Sequence, residues 1–163
     1  IPVVAVERGG KGTYHGPGQL VGYPIVDLDP RGRDVRRFVS EVELLLIRSL
    51  GAVGLTADRV VGRRGVWVAG ERKIASVGIA VESWVTFHGF ALNVSNDLAP
   101  FRAFHPCGLP GTVMTSVSAE LDRPTTTESM KGLVRDAWAE TFGTPSGPPG
   151  RSNREAEAPV LSR

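Results

Sequence analysis

The 163-residue chain holds a single cysteine, Cys107, so no intramolecular disulfide framework is available, which suits a reducing cytosol. It has no apolar run approaching the roughly 20 residues of a membrane span, and no signal peptide opens it, so a cytoplasmic setting is expected. Charge of one sign is barely in excess. Sixteen Arg and three Lys against ten Glu and seven Asp leave +2, too weak a field to argue for nucleic acid. The three histidines, His15, His88 and His105, match no zinc-ligand spacing, and no metal is expected. A Walker A loop is missing, because Gly10-Lys11-Gly12 does not supply G-x-x-x-x-G-K-[ST]. Too few alternating βα units, and no G-x-G-x-x-G between strand and helix, argue against a doubly wound dinucleotide fold.

What is present fits one domain, long enough to bury roughly two-thirds of its unfolded surface without a staple. Val3 to Val6 reads as a short strand. Five glycines between Arg8 and Gln19 then require sharp bends or close backbone approach. Leu20 to Val26 resumes as a strand, with Pro24 pointing to a sheet edge or bulge. Asp34 is the expected N-cap of a helix over 35–50, whose apolar face is Val35, Phe38, Val39, Val42, Leu45, Leu46 and Leu50, with Gly51 as its stop. From Leu55 the period shifts towards two, predicting strands over 59–61, 65–68, 73–81 and 86–93 with turns at 69–72 and 82–83. A second helix is expected over 128–142, opened by a capping box of Thr125 and Glu128 and closed by Gly143. Together these predict an α+β domain over residues 1–143. The Pro-rich remainder, 144–163, has only Val160 and Leu161 as bulky apolar residues and reads as a disordered tail.

Two residues carry candidate chemistry. Cys107 lies between Pro106 and Gly108, in a segment where a core cysteine on a strand or helix is not expected. An inert buried thiol and a nucleophile both remain open from this alone. Lys73 is one of three lysines in a chain that otherwise chooses arginine. Alone it reads as a solvated turn residue, but beside a thiol an ammonium favours thiolate. His105, two residues from Cys107, is a possible base by proximity, and His15 a donor lining a pocket.

These elements resemble one family. Arg8-Gly9-Gly10-x-x-Thr13-Tyr14-His15-Gly16-Pro17-Gly18-Gln19-Leu20, Lys73-Ile74-Ala75-Ser76-Val77-Gly78, Phe87-His88-Gly89-Phe90-Ala91-Leu92-Asn93, Asn96-Asp97-Leu98 and Pro106-Cys107-Gly108 look like the octanoyltransferases of lipoate biosynthesis, in the same order and with 34 residues from Lys73 to Cys107. The resemblance covers Ile1 to about Gly143. It implies a biotin/lipoate ligase-like catalytic fold with a mixed β-sheet flanked by helices. It also implies transfer of an octanoyl group from octanoyl-acyl carrier protein to a lysine of lipoyl domains, those of 2-oxoacid dehydrogenase E2 subunits and of the glycine-cleavage H protein. No cofactor, nucleotide or metal is implied. By motif match Cys107 is the nucleophile and Lys73 its partner. The acyl pocket is then lined by Arg8, Gly9, Gly10, Lys11, Gly12, Thr13, Tyr14, His15, Ser76, Val77, Gly78, Gly89, Phe90 and Ala91. The family carries a further segment before the Arg-Gly-Gly loop, with His-Pro and Thr-x-Gly-Arg elements, so the sequence beginning at Ile1 is expected to be incomplete. An ATP-dependent lipoate or biotin ligase, and a non-catalytic acyl or carrier-protein binding module, are the competing readings.

Overall fold

Asp34 accepts a hydrogen bond from the Arg37 backbone N–H at 2.9 Å, and this cap opens helix α1, Val35–Gly51. Phe38, Val42, Leu45, Leu46 and Leu50 recur at helical steps and are all essentially inaccessible to solvent, while Val35 and Val39 pack at the margin of the same core. The expected stop at Gly51 falls one residue late: Gly51 is still helical, Ala52 is the C-cap, and the left-handed residue is Gly54. The structure, a computed structural model, describes residues 13–103 and 113–143. The expected strand over 3–6, the Arg8–Gly12 part of the glycine loop, His105, Cys107 and the tail over 144–163 lie outside the described residues.

Among the described residues five strands form one sheet in the order β1-β5-β4-β3-β2, built from β1 (Gln19–Gly22), β2 (Asp58–Val60), β3 (Arg63–Val68), β4 (Arg72–Glu82) and β5 (Val85–Asn93). Every strand pair is antiparallel where a mixed sheet was expected; the single parallel contact among the described residues is the isolated bridge between Lys73 and Met114. Tight turns at 61–62, 69–71 and 83–84 can only reverse the chain and so account for the β2–β3, β3–β4 and β4–β5 pairs, while β1 meets β5 across the intervening elements. Residues on the β4–β5 turn, Ser83 and Trp84, both take positive φ, the backbone twist that two-residue hairpins favour. The first strand is shorter than expected, ending at Gly22, and its edge position accounts for Pro24 just beyond it.

The C-terminal helix α3 spans Thr127–Phe142 and packs against α1 and β1. Its N-cap is Thr126, which accepts from the Ser129 N–H at 3.1 Å, not the expected Thr125; Thr125 instead accepts from nothing in the helix and gives its backbone N–H to the Ser118 hydroxyl. Gly143 closes the helix at φ +83, as its position predicts. The alternation did not reveal a short helix α2, Val117–Leu121, capped by Ser116. Both long helices lie on one face of the sheet, α1 over β3 and β4 and α3 beside it over β1, and the core lies between. No helix among the described residues is long and apolar enough to cross a membrane.

Candidate active site

Cross-strand partners share a sheet face, so the ladder sorts the predicted pocket residues. Ala75 opposite Leu92 and Val77 opposite Phe90 belong to the helix-packed core. Their neighbours, Ser76 opposite Ala91 and Gly78 opposite Gly89, therefore point to the other face, where Val21 and Gln19 of β1 continue the row beside Ala91 and Asn93. This face carries small residues, and beside Gly89 the Gly22 carbonyl and the Pro24 ring occupy the place a Cβ would take. Of the residues named from sequence, Ser76, Gly78, Gly89 and Ala91 come together here. Val77 and Phe90 do not: at 7% and 6% exposure they fill the core beneath the helices. Motif membership grouped consecutive residues that the strand pleat separates.

Lys73 reaches this face through a bulge. Counting back by twos from Ile79, Val77 and Ala75 would aim Lys73 into the helix core. The register against β3 shifts instead, with Ala75 opposite Val66 but Lys73 opposite Trp67, so Ile74 is the extra residue. Ile74 and Ala75 are both core, and the alternation restarts at Lys73. The lysine is only 3% exposed, and its Nζ lies 5.5 Å from the centre of the Trp67 ring.

The segment leaving the Cys107 region is tied to the same place. Met114 bridges Lys73, and the Thr115 N–H donates to the Lys73 carbonyl at 2.9 Å. A relay of side-chain hydrogen bonds that ends on buried Asn93 fixes this segment from the opposite side. Gln19 donates from Nε2 to Asn93 Oδ1 at 2.8 Å, and Asn93 donates from Nδ2 to the Thr115 carbonyl at 2.9 Å. With the Gln19 amide so oriented, its Oε1 accepts from His15 Nδ1 at 2.8 Å, which places the imidazole proton on Nδ1. Asn93 is 1% exposed, so its pairing on both sides is what permits its burial.

Further braces surround this relay. Thr115 donates its hydroxyl to Glu120 at 2.7 Å, and Glu120 receives a two-pronged contact from Arg72, the residue before Lys73. The Arg72 hydrogen bond holds the Glu120 carboxyl below its ordinary range, against the opposing effect of burial. The same contact raises the Arg72 guanidinium further. Tyr14 packs edge-on to Phe101, ring centres 5.5 Å apart, and Phe101 is buried outside the helix-side core. Gly18 sits at φ +82 where a Cβ would press on the Asn96 backbone nitrogen, so the glycine loop does contain a close backbone approach. Of the loop residues named from sequence, His15 is tied to this face through Gln19, and Tyr14 packs on Phe101.

Sequence reasoning missed Gln19, Asn93 and Thr115 as a scaffold, and Trp67 and Gly65 as neighbours of Lys73. Only Gly65 carried a readable signal, a glycine inside a strand pattern.

An α+β sheet with both long helices on one face and a buried lysine on the other defines a lipoate-ligase-like catalytic fold. The solved structures share it at the level of fold. A bipartite lipoate protein ligase from Thermoplasma acidophilum superposes with a TM-score of 0.66 at 19% identity, covering 85% of this chain and 57% of that one. A lipoate-protein ligase A bound with ATP gives a TM-score of 0.64 at 19% identity over the same shares. The chain belongs to the lipoyl protein ligase A/B catalytic domain family, whose pattern matches residues 1–139. Among its relatives are octanoyltransferases from Geobacter sulfurreducens, 49% identical over 136 residues (83% of this chain, 57% of the relative), and Mycobacterium bovis, 49% identical over 138 residues (83% and 60%). The octanoyltransferase of Acidothermus cellulolyticus is 50% identical over 137 residues (82% and 62%). The chain thus spans about 57–62% of the length of these relatives.

Proposed function

We propose that the protein transfers an octanoyl group from octanoyl-acyl carrier protein to the ε-amine of a lysine on lipoyl domains, through a thioester on Cys107. The observation that carries this reading is Lys73: a buried lysine, turned by a bulge onto a face of small residues, and bonded to the segment that follows the Cys107 region. Relatives named octanoyltransferase at about half identity support the acyl group and the reaction class.

The chemistry follows from the two groups. The Cys107 thiolate attacks the donor thioester carbonyl; a new carbon–sulfur bond forms, and the donor sulfur leaves as thiolate and takes a proton from Lys73. Little energy changes hands, because one thioester replaces another. The acceptor amine then attacks, giving a proton to Lys73, and Cys107 departs as thiolate. Amide formation from a thioester runs downhill, so no nucleotide is consumed. The face carrying Ser76, Gly78, Gly89 and Ala91 takes the acyl chain in this reading, and the motif residues Arg8, Gly9, Gly10, Lys11, Gly12, Thr13, Tyr14 and His15 contribute to its binding, each buried methylene giving about 0.8 kcal/mol. Donor carrier protein and lipoyl domains are the partners in this reading, and the cytoplasm is its setting.

The test is transfer from octanoyl-carrier protein to a lipoyl domain in nucleotide-free buffer, with wild-type protein and Lys73→Ala. Transfer without ATP, lost in Lys73→Ala, is expected. Transfer that needs ATP and free octanoate would assign a ligase instead, and binding of the carrier protein with no transfer would assign a non-catalytic module.

A further inference from the structure

Beside Lys73 lie two residues that no motif brought forward, and their geometry is unusual. Gly65 adopts φ +99, where a Cβ would run into the Ala75 carbonyl oxygen and come within 2.8 Å of Lys73 Cε. Its N–H is held at 2.8 Å by Glu43, a buried carboxylate on α1 that Arg59 braces at 3.6 Å. A helix side chain thus pins the one strand residue whose missing side chain makes room for the lysine stem. Across the ladder, Trp67 offers Lys73 its ring face, and the same indole carries the Arg63 guanidinium 5.4 Å from its centre. Trp67 is 1% exposed, yet its Nε1 has no hydrogen-bond partner among the described residues. A buried donor left unmatched is costly, and a site needing only apolar bulk is better filled by Phe or Leu. The indole is used for its π face, which attracts cations within about 6 Å.

We propose that Gly65 and Trp67 form the seat that holds the Lys73 ammonium on the reaction face, and that both are positioning residues for octanoyl transfer. This rests on the role given to Lys73 above. The bulge at Ile74 sets which way the lysine leaves the strand, Gly65 gives its stem a channel, and the indole fixes where the ammonium stops.

The experiment uses the full-length enzyme with Trp67→Phe, Trp67→Leu and Lys73→Ala, reading steady-state transfer and the NMR signals of lysine labelled at Cε. The Lys73 signal is assigned by its loss in Lys73→Ala. The proposal expects Lys73 ε-protons shifted upfield by the indole ring current in the wild type, less so in Trp67→Phe, and returned to the ordinary position in Trp67→Leu. It expects Trp67→Leu to lower kcat roughly 10- to 100-fold with KM little changed, and Trp67→Phe to restore most of that loss. An unshifted Lys73 signal in the wild type overturns the seat, and this holds even if Trp67→Leu does not fold. A folded Trp67→Leu with wild-type kcat overturns it as well. Full transfer by Lys73→Ala, with the upfield signal present in the wild type, would instead remove the catalytic role of Lys73 and leave the seat standing as a structural contact.

Discussion

On the helix-packed side of the sheet, β4 and β5 present Ala75, Val77, Ile79, Phe90 and Leu92 to α1 and α3; on the other side the same strands present Ser76, Gly78, Gly89 and Ala91. The first face is filled by volume. Its side chains recur with regular period, exclude water and need no partner beyond one another. The second is shaped by what is left out. Small residues line it, a bulge delivers a lysine, and a relay from His15 through Gln19 and Asn93 to Thr115 fixes the chain beside it. Strand parity, interrupted once by the bulge at Ile74, therefore separates the two faces, and substitutions one residue apart should fail in different ways.

The sharpest contrast is with the core. Phe38→Ala, in the middle of α1, is expected to cost about 3–5 kcal/mol in denaturant unfolding, with the remaining folded fraction as active per molecule as wild type. Asn93→Ala removes both hydrogen bonds made by the buried middle member of the relay and should cost about 1–3 kcal/mol. Unlike Phe38→Ala, it should also slow transfer in the folded enzyme, because the Thr115 segment loses its hold beside Lys73. If its activity per folded molecule is unchanged, the relay belongs with the core and the division between faces is wrong.

Smaller effects separate neighbours. Thr126→Ala should lose about 1 kcal/mol of stability, the worth of an N-cap, while Thr125→Ala keeps its backbone bond to Ser118 and should lose less. Equal losses would return the cap to Thr125. Last, Glu120 is more acidic in the folded protein than its ordinary value of 4.5, chiefly through Arg72. A lowered folded value means its stabilisation is present above pH 4.5 and disappears as pH falls through the folded value. Glu120→Gln should therefore be less stable than wild type at neutral pH and should converge with it in acid; a difference that persists at the lowest pH would show packing, not charge.

The same division explains what could be read in advance. Helix α1, its Asp34 cap and the strand sequence from β2 to β5 were legible because a buried face leaves a period in the sequence. The small residues of the second face were legible through motif resemblance, which grouped Val77 and Phe90 with them because a motif has no parity. The Ile74 bulge was invisible, since a bulge changes register without changing composition. Gln19, Asn93 and Thr115 were illegible as a unit because hydrogen bonds spanning 74 and 22 residues of separation leave no local trace. The cap on α3 was misplaced by one residue where three threonines, Thr125 to Thr127, stand in a row.

The central claim is that Cys107 carries the acyl group while Lys73 handles the protons. Intact mass measurement of the full-length enzyme after mixing with octanoyl-carrier protein, without acceptor, reads it directly. The account predicts one added octanoyl group that is released by hydroxylamine, absent from Cys107→Ser, and slow to appear in Lys73→Arg. An octanoyl group retained on the Cys107→Ser protein at the wild-type rate, or no adduct on a wild-type enzyme that still transfers, would contradict it.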